Sequence, residues 1–232
     1  MKKKPHIKKI KDVSGFHVWY VNGYWIRRNI DEEFTNFGQH YQFNFIPKNE
    51  LWIDQEQGKK ETRYFIGTML LMNRLHSLGY TRKQINRIAT HAEIAERNKS
   101  KSIMKLKSLK NKEVIFKKIR KEFLKKYDGE VKVYLVRGDL VRSLFYTDFT
   151  QGGHDKVYKF VPKGEVWIDD DLFKKERVFV IIHELFERYH MAKGMSYDQA
   201  HEKASAIEYK CRKNPRIIEK TLRQQIKRNK VF

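Results

Sequence analysis

The chain has 232 residues, room for one large domain or two small ones. Its formal net charge of +22 implies a polyanionic partner: nucleic acid, an anionic membrane surface or an acidic protein. The single cysteine, Cys211, excludes an intramolecular disulfide. No segment is long and apolar enough to span a bilayer. The start, Met1-Lys2-Lys3-Lys4-Pro5-His6, has no signal-peptide apolar run behind it, so a cytoplasmic or virion-associated location is expected.

The chain contains itself twice. A shift of 115 carries Val21-Asn22-Gly23 onto Val136-Arg137-Gly138, and Phe34-Thr35 onto Phe149-Thr150. The stretch Phe45 to Asp54, with its Pro47-Lys48 and Leu51-Trp52-Ile53, falls on Phe160 to Asp169, with Pro162-Lys163 and Val166-Trp167-Ile168. Gly79, Gln84 and Glu93 fall on Gly194, Gln199 and Glu208. What both copies keep serves the fold; what one copy alone has is a candidate for function.

Residues 1–15 read as a basic tail without fixed structure. Repeat one spans 16–96. Its aromatics Trp19, Tyr20, Tyr24 and Trp25 alternate with polar residues on predicted strands, where core packing is favoured over base stacking. Trp52 and Asp54, like Trp167 and Asp169, read as core and helix cap. Gly79 ends a helix, and Thr81 to Gln84 is a capping box that opens the next. Residues 97–130 form a basic connector. The apolar residues Ile103, Leu106, Val114, Ile115, Ile119, Phe123 and Leu124 partly fit an amphipathic helix there.

Repeat two spans 131–210. Predicted strands cover Val131–Val136, Leu140–Phe145, Lys156–Val161 and Glu165–Ile168. A helix begins near Leu172, capped by Asp169, and stops at Gly194. Ser196 to Gln199 is a second capping-box pattern. Asp170 and Asp171, absent from the first copy, complement that long helix's N-terminus in preference to binding a cation. A basic helix fills 211–232 after Pro215. The predicted class is α+β: a tandem duplication in which each repeat is a small antiparallel sheet followed by a helical hairpin, joined by a basic helical connector.

On a helical wheel, His183, Glu187 and His190 form a stripe beside the apolar face of Val178, Ile181, Ile182, Leu185, Phe186 and Tyr189. The matching stripe in repeat one is Thr68, Met72 and Leu75. On the following helix His201, Ala204, Ser205 and Glu208 share a face, and the small residues permit close approach. Two helices can thus converge His183, Glu187, His201 and Glu208. A metal ion is an efficient partner for such a cluster when buried. Glu184 and Arg188, four apart, read alternatively as a surface pair. His154, after Gly152-Gly153, sits in a loop within possible reach of the cluster.

The run His183-Glu184-Leu185-Phe186-Glu187 resembles the active helix of the zincin metallopeptidases, His-Glu-x-x-His. The resemblance implies that His183 is a ligand and Glu184 the general base. Glu187 stands where the second histidine belongs, and His201 or Glu208 is the third ligand. Zinc is implied, with manganese or iron compatible with a His and carboxylate set. The expected function is metal-dependent hydrolysis, of a peptide substrate first, with basic regions binding nucleic acid or another polyanion. The alternative is a non-enzymatic nucleic-acid-binding or packaging protein of phage or mobile-element type.

Overall fold

A computed structural model describes residues 5–230. The chain forms two compact units, Met1–Lys110 with Asp139–Asp148, and Asn111–Gly138 with Phe149–Phe232. Each is built on one four-stranded sheet.

In the first unit, strands β1 (His6–Val13) and β2 (Phe16–Val21) form a hairpin, followed by helix α1 (Gly23–Asn29). Strands β3 (Phe37–Gln39) and β4 (Glu50–Asp54) come next, then helices α2 (Thr62–Ser77), α3 (Arg82–Asn98) and α4 (Lys101–Lys107). The sheet order is β1-β2-β4-β3. The expected unstructured tail is thus a strand from His6 onward; only residues 1–4 lie outside the description. Ser14 and Gly15, with φ of 49° and 82°, make the two-residue turn that folds it back onto β2.

The second unit repeats the plan. Helix α5 (Lys112–Ile119) leads into strands β5 (Arg120–Phe123) and β6 (Lys132–Val136), then helix α6 (Gly138–Leu144), whose residues from Asp139 count with the first unit. Strands β7 (Gly152–His154) and β8 (Glu165–Asp169) precede helices α7 (Lys174–Ala192), α8 (Tyr197–Lys213) and α9 (Ile218–Arg228). The sheet order is β5-β6-β8-β7. The duplicated α+β arrangement is therefore present, each sheet followed by its helices. The basic connector supplies two helices and the edge strand β5.

The sheets are mixed where an antiparallel sheet was expected. The central pairs β2/β4 and β6/β8 run parallel, joined through α1 or α6 and the edge strand, because a hairpin cannot connect parallel neighbours. Leu140–Phe145, expected as a strand, lies largely in α6. Its β-branched and aromatic residues are overridden by the packing of Leu140 and Val141, and by the wholly buried Arg142, whose Nε donates to Glu61 Oε2 at 2.5 Å. Lys156–Val161 is not a strand either. It turns, the His154 carbonyl accepting from the Val157 and Tyr158 amides, and the edge strand is the short Gly152–His154 before it.

Strands β4 and β8 are buried on both faces, which explains their unbroken Leu-Trp-Ile and Val-Trp-Ile runs. In the first unit Val18, Leu51 and Ile53 pack on Phe65, Ile66 and Met69 of α2. Val21 and Trp52 face Ile26, Phe34 and Ile46. Each such side chain contributes about 1.5–3 kcal/mol on burial.

Asp54 and Asp169 do not cap the long helices. Asp54 accepts from the Gly23 amide at 3.3 Å and from Arg27 at 2.6 Å, so it braces the start of α1 instead. That explains the shared Val-x-Gly: a Cβ on Gly23 or Gly138 would lie 1.7 or 2.1 Å from the carboxylate of Asp54 or Asp169. The long helix α7 starts two residues later than expected, at Lys174. Gly79 and Gly194 do stop their helices with φ of 82° and 89°. The Thr81–Gln84 capping box forms; Ser196 makes no such side-chain bond. Among the described residues no helix is long and apolar enough to cross a membrane.

Candidate metal centre

Helix α7 carries buried polar side chains among its buried apolar ones: His183, Glu184, Glu187 and Arg188. Opposite, α8 offers Ala200 and Ala204, both wholly buried, so the two helices approach closely. Three donor atoms converge between them. His183 Nε2 lies 3.2 Å from His201 Nδ1, His201 Nδ1 lies 2.8 Å from Glu187 Oε2, and His183 Nε2 lies 3.6 Å from Glu187 Oε2. His183 and Glu187 are buried, while His201 is half-buried and forms the solvent side. Tyr197 stacks on the His201 ring one turn earlier, with centroids 5.4 Å apart.

The other expected residues fall elsewhere. Glu208 stands behind His183, its Oε2 2.9 Å from Nδ1, with Oε1 taken by Arg212. His190 leaves the stripe and packs on the rings of Phe186 and Tyr189. Glu184 is buried beside Gly152. Arg188 is no surface partner of Glu184. It is wholly buried and grips Asp155 through Nε at 2.6 Å and a second nitrogen at 3.1 Å, and it reaches Asn229 near the end of the described chain. Asp170 pairs with Lys121, and Asp169 accepts from the Asp171 amide.

His154, which the sequence placed only in a nearby loop, is fully buried on β7 with Nε2 3.0 Å from Glu187 Oε1. Spacing could not reveal it, since 33 residues separate the pair. The duplication held the signal: the matching residue is Gln39, which donates to the Met69 carbonyl instead.

Comparing the copies separates scaffold from site. Arg97 grips Glu61 through two bonds of 3.0 and 2.9 Å and Glu93 through one of 2.8 Å. Arg212 does the same with Glu176, at 2.9 and 3.1 Å, and with Glu208 at 2.8 Å. In the first copy Glu93 then accepts from Thr68 at 2.6 Å; in the second, Glu208 meets His183. The Arg-Glu-Glu brace is therefore common, and the imidazole replaces a hydroxyl on top of it.

The charges are strongly coupled. For Glu187, burial is the largest influence and pushes its pKa up, but bonds to His154, His183 and His201 outweigh it and hold the carboxyl well below the usual range. Burial pushes His183 down, yet Glu187 and Glu208 prevail and keep it well above 6.5. Glu208, opposed by burial, is drawn to about 2 by His183 and Arg212. Burial lowers His154, and Glu187 only partly offsets that. Glu184 goes the other way: burial first, with the Glu187 charge, pushes it up to about 8 despite the opposing histidines.

Gly152 makes the space that Glu184 fills. Its counterpart is Phe37, whose ring lies 4.8 Å from that of Phe65 in the first unit. A Cβ on Gly152 would sit 2.9 Å from Val180 Cγ1 and 3.0 Å from Glu184 Oε1. Gly152→Ala is therefore expected to cost about 1–3 kcal/mol by overpacking, read as a lower urea midpoint; an unchanged midpoint would contradict this packing.

No protein-family model, no curated protein and no solved structure matches the chain.

Proposed function

We propose that the second repeat is a hydrolase working with one divalent metal ion, zinc by its donor set, and that its substrate is a peptide bond. The observation that carries this reading is the convergence of His183 Nε2, Glu187 Oε2 and His201 Nδ1 at 3.2, 2.8 and 3.6 Å. Bond lengths of 2.0–2.2 Å around tetrahedral zinc put ligand atoms about 3.3–3.6 Å apart; the two separations from His183 fit, and the 2.8 Å between His201 and Glu187 has to open by about half an ångström. Thr68, Met72 and Asn86 stand at the same places in the first repeat and form no such set. Manganese or iron would suit the same donors.

Glu208 supports His183 from behind, as carboxylates commonly orient zinc-bound histidines. Bound there, the ion would polarise a carbonyl and bring the pKa of a water toward neutrality. Glu184 has the general-base role: it accepts the proton of the attacking water and returns it to the leaving amine. Without metal, burial keeps Glu184 protonated up to about pH 8; a bound cation would favour the ionised form, in which it can accept the proton. The test is digestion of an unstructured peptide library with zinc present. Cleavage that stops on chelation and returns with zinc supports the proposal; cleavage indifferent to metal refutes it.

The charge of +22 favours a second activity of the same chain, binding of nucleic acid or another polyanion through its lysine-rich segments. Residues 101–118 carry Lys101, Lys105, Lys107, Lys110, Lys112, Lys117 and Lys118, all exposed or nearly so. Binding to a DNA or RNA duplex is expected to weaken steeply between 50 and 200 mM salt, through counterion release. Negligible affinity at low salt would remove this part of the proposal, and would leave the metal site untouched.

A further inference from the structure

We infer that His154 is a positioning residue that fixes which oxygen of Glu187 faces the metal, and that it is not itself a ligand; this rests on the metal reading proposed above. His154, Glu184 and Glu187 also bring donor atoms within 4.8 Å of one another, which on distance alone is a second metal set sharing Glu187. Hydrogen bonding decides against it. The Lys156 amide donates to His154 Nδ1 at 3.2 Å. That nitrogen therefore carries no proton, and in a neutral imidazole the proton must sit on Nε2. Nε2 then donates to Glu187 Oε1 at 3.0 Å and has no lone pair left for a metal.

The consequence lies in the carboxylate. With Oε1 held by His154, Oε2 is the atom left to face His201 at 2.8 Å and His183 at 3.6 Å. A glutamate side chain otherwise turns freely about its last bond. The neighbouring pair locks the same joint: Asp155 takes two bonds from Arg188 and one of 2.8 Å from the Gly164 amide. Thus His154 at the end of the edge strand and Asp155 in the turn after it grip Glu187-Arg188 of α7, residue against residue.

The duplication supports the assignment. All four positions change together between copies: Gln39-His40 and Met72-Asn73 stand where His154-Asp155 and Glu187-Arg188 do. In the first copy Gln39 turns to the Met69 carbonyl and His40 to the Ile46 carbonyl, and neither grips α2 by a carboxylate. The clamp exists only where there is a glutamate to aim.

The experiment is zinc titration of the full chain against a chromogenic chelator, for the unsubstituted protein, His154→Gln and His154→Leu. It is paired with a long-range proton–nitrogen spectrum of the metal-free protein. One zinc per chain is expected. His154→Leu should bind about 10–100-fold more weakly, the usual loss when an outer partner of a ligand is removed. His154→Gln keeps a donor where Nε2 was and should recover most of that loss. The spectrum should show His154 protonated on Nε2 alone, a readout independent of metal and of the variants' stability. Two zincs per chain with one lost in His154→Gln, full affinity in His154→Leu, or a proton on Nδ1 would each overturn the inference. A protein that binds no zinc yet shows the Nε2 tautomer would overturn the metal reading, and this role with it.

Discussion

Glu184→Gln should leave zinc bound and remove hydrolysis, lowering kcat by about 10²–10⁴-fold, the usual worth of a positioned general base. The amide keeps the shape of the carboxyl beside Gly152 but cannot take up a proton. Retained turnover would reassign the base. The same variant has a signature that needs no substrate. Burial raises Glu184 from 4.5 to about 8, so across that window the folded chain holds a proton that the unfolded chain has lost. Stability must then fall as pH rises. His183, raised above 6.5, adds a decline of the same sign at higher pH. His154, held below 6.5 by burial, acts in the opposite sense between pH 5 and 6.5, so the readout is a difference: chelator-treated protein should lose melting temperature relative to Glu184→Gln as pH rises through that range. Parallel profiles would show that Glu184 is ionised in the folded chain.

The largest effect on stability is expected at the two braces. Arg212→Leu takes the guanidinium from the buried Glu176 and the half-buried Glu208, and Arg97→Leu takes it from the buried Glu61 and Glu93, where Arg142 still donates to Glu61. Removing one partner of a buried ion pair costs about 3–5 kcal/mol, because the charge left behind has no water to replace it. Denaturant midpoints should fall in both, and by less in Arg97→Leu, where Arg142 remains on Glu61. The two differ in the metal site. Glu208 holds His183 Nδ1, so Arg212→Leu should also weaken zinc binding, while Arg97→Leu should not. Equal zinc affinity in both variants would detach the brace from the site.

The duplication made the plan of the fold legible, because Trp52 and Trp167 are fixed by burial, the helix-stopping Gly79 and Gly194 by local sterics, and Gly23 and Gly138 by an aspartate that is itself repeated. What escaped was set by contacts distant in sequence. Leu140–Phe145 has strand-like composition, but Arg142 reaches Glu61, 81 residues away. The parallel pairing of β6 with β8 leaves no mark in either strand's alternation, since β8 is buried on both faces. His6–Val13 was hidden by its lysines, which sit on an exposed edge strand. At the site, helical spacing placed His183 and Glu187 on one stripe and set His201 and Glu208 at matching depth on the next helix. It also put His190 on that stripe, because a wheel does not know where the facing helix ends. Spacing could not assign Glu208 to the back of His183, nor find His154 on a separate strand and Asp155 in the turn after it.

The most direct test of the account is the metal content of protein purified without added metal or an affinity tag, measured beside His183→Ala. The account predicts about one metal per chain, lost in the variant. No metal in either protein, together with no binding on titration with zinc, manganese or iron, would contradict it.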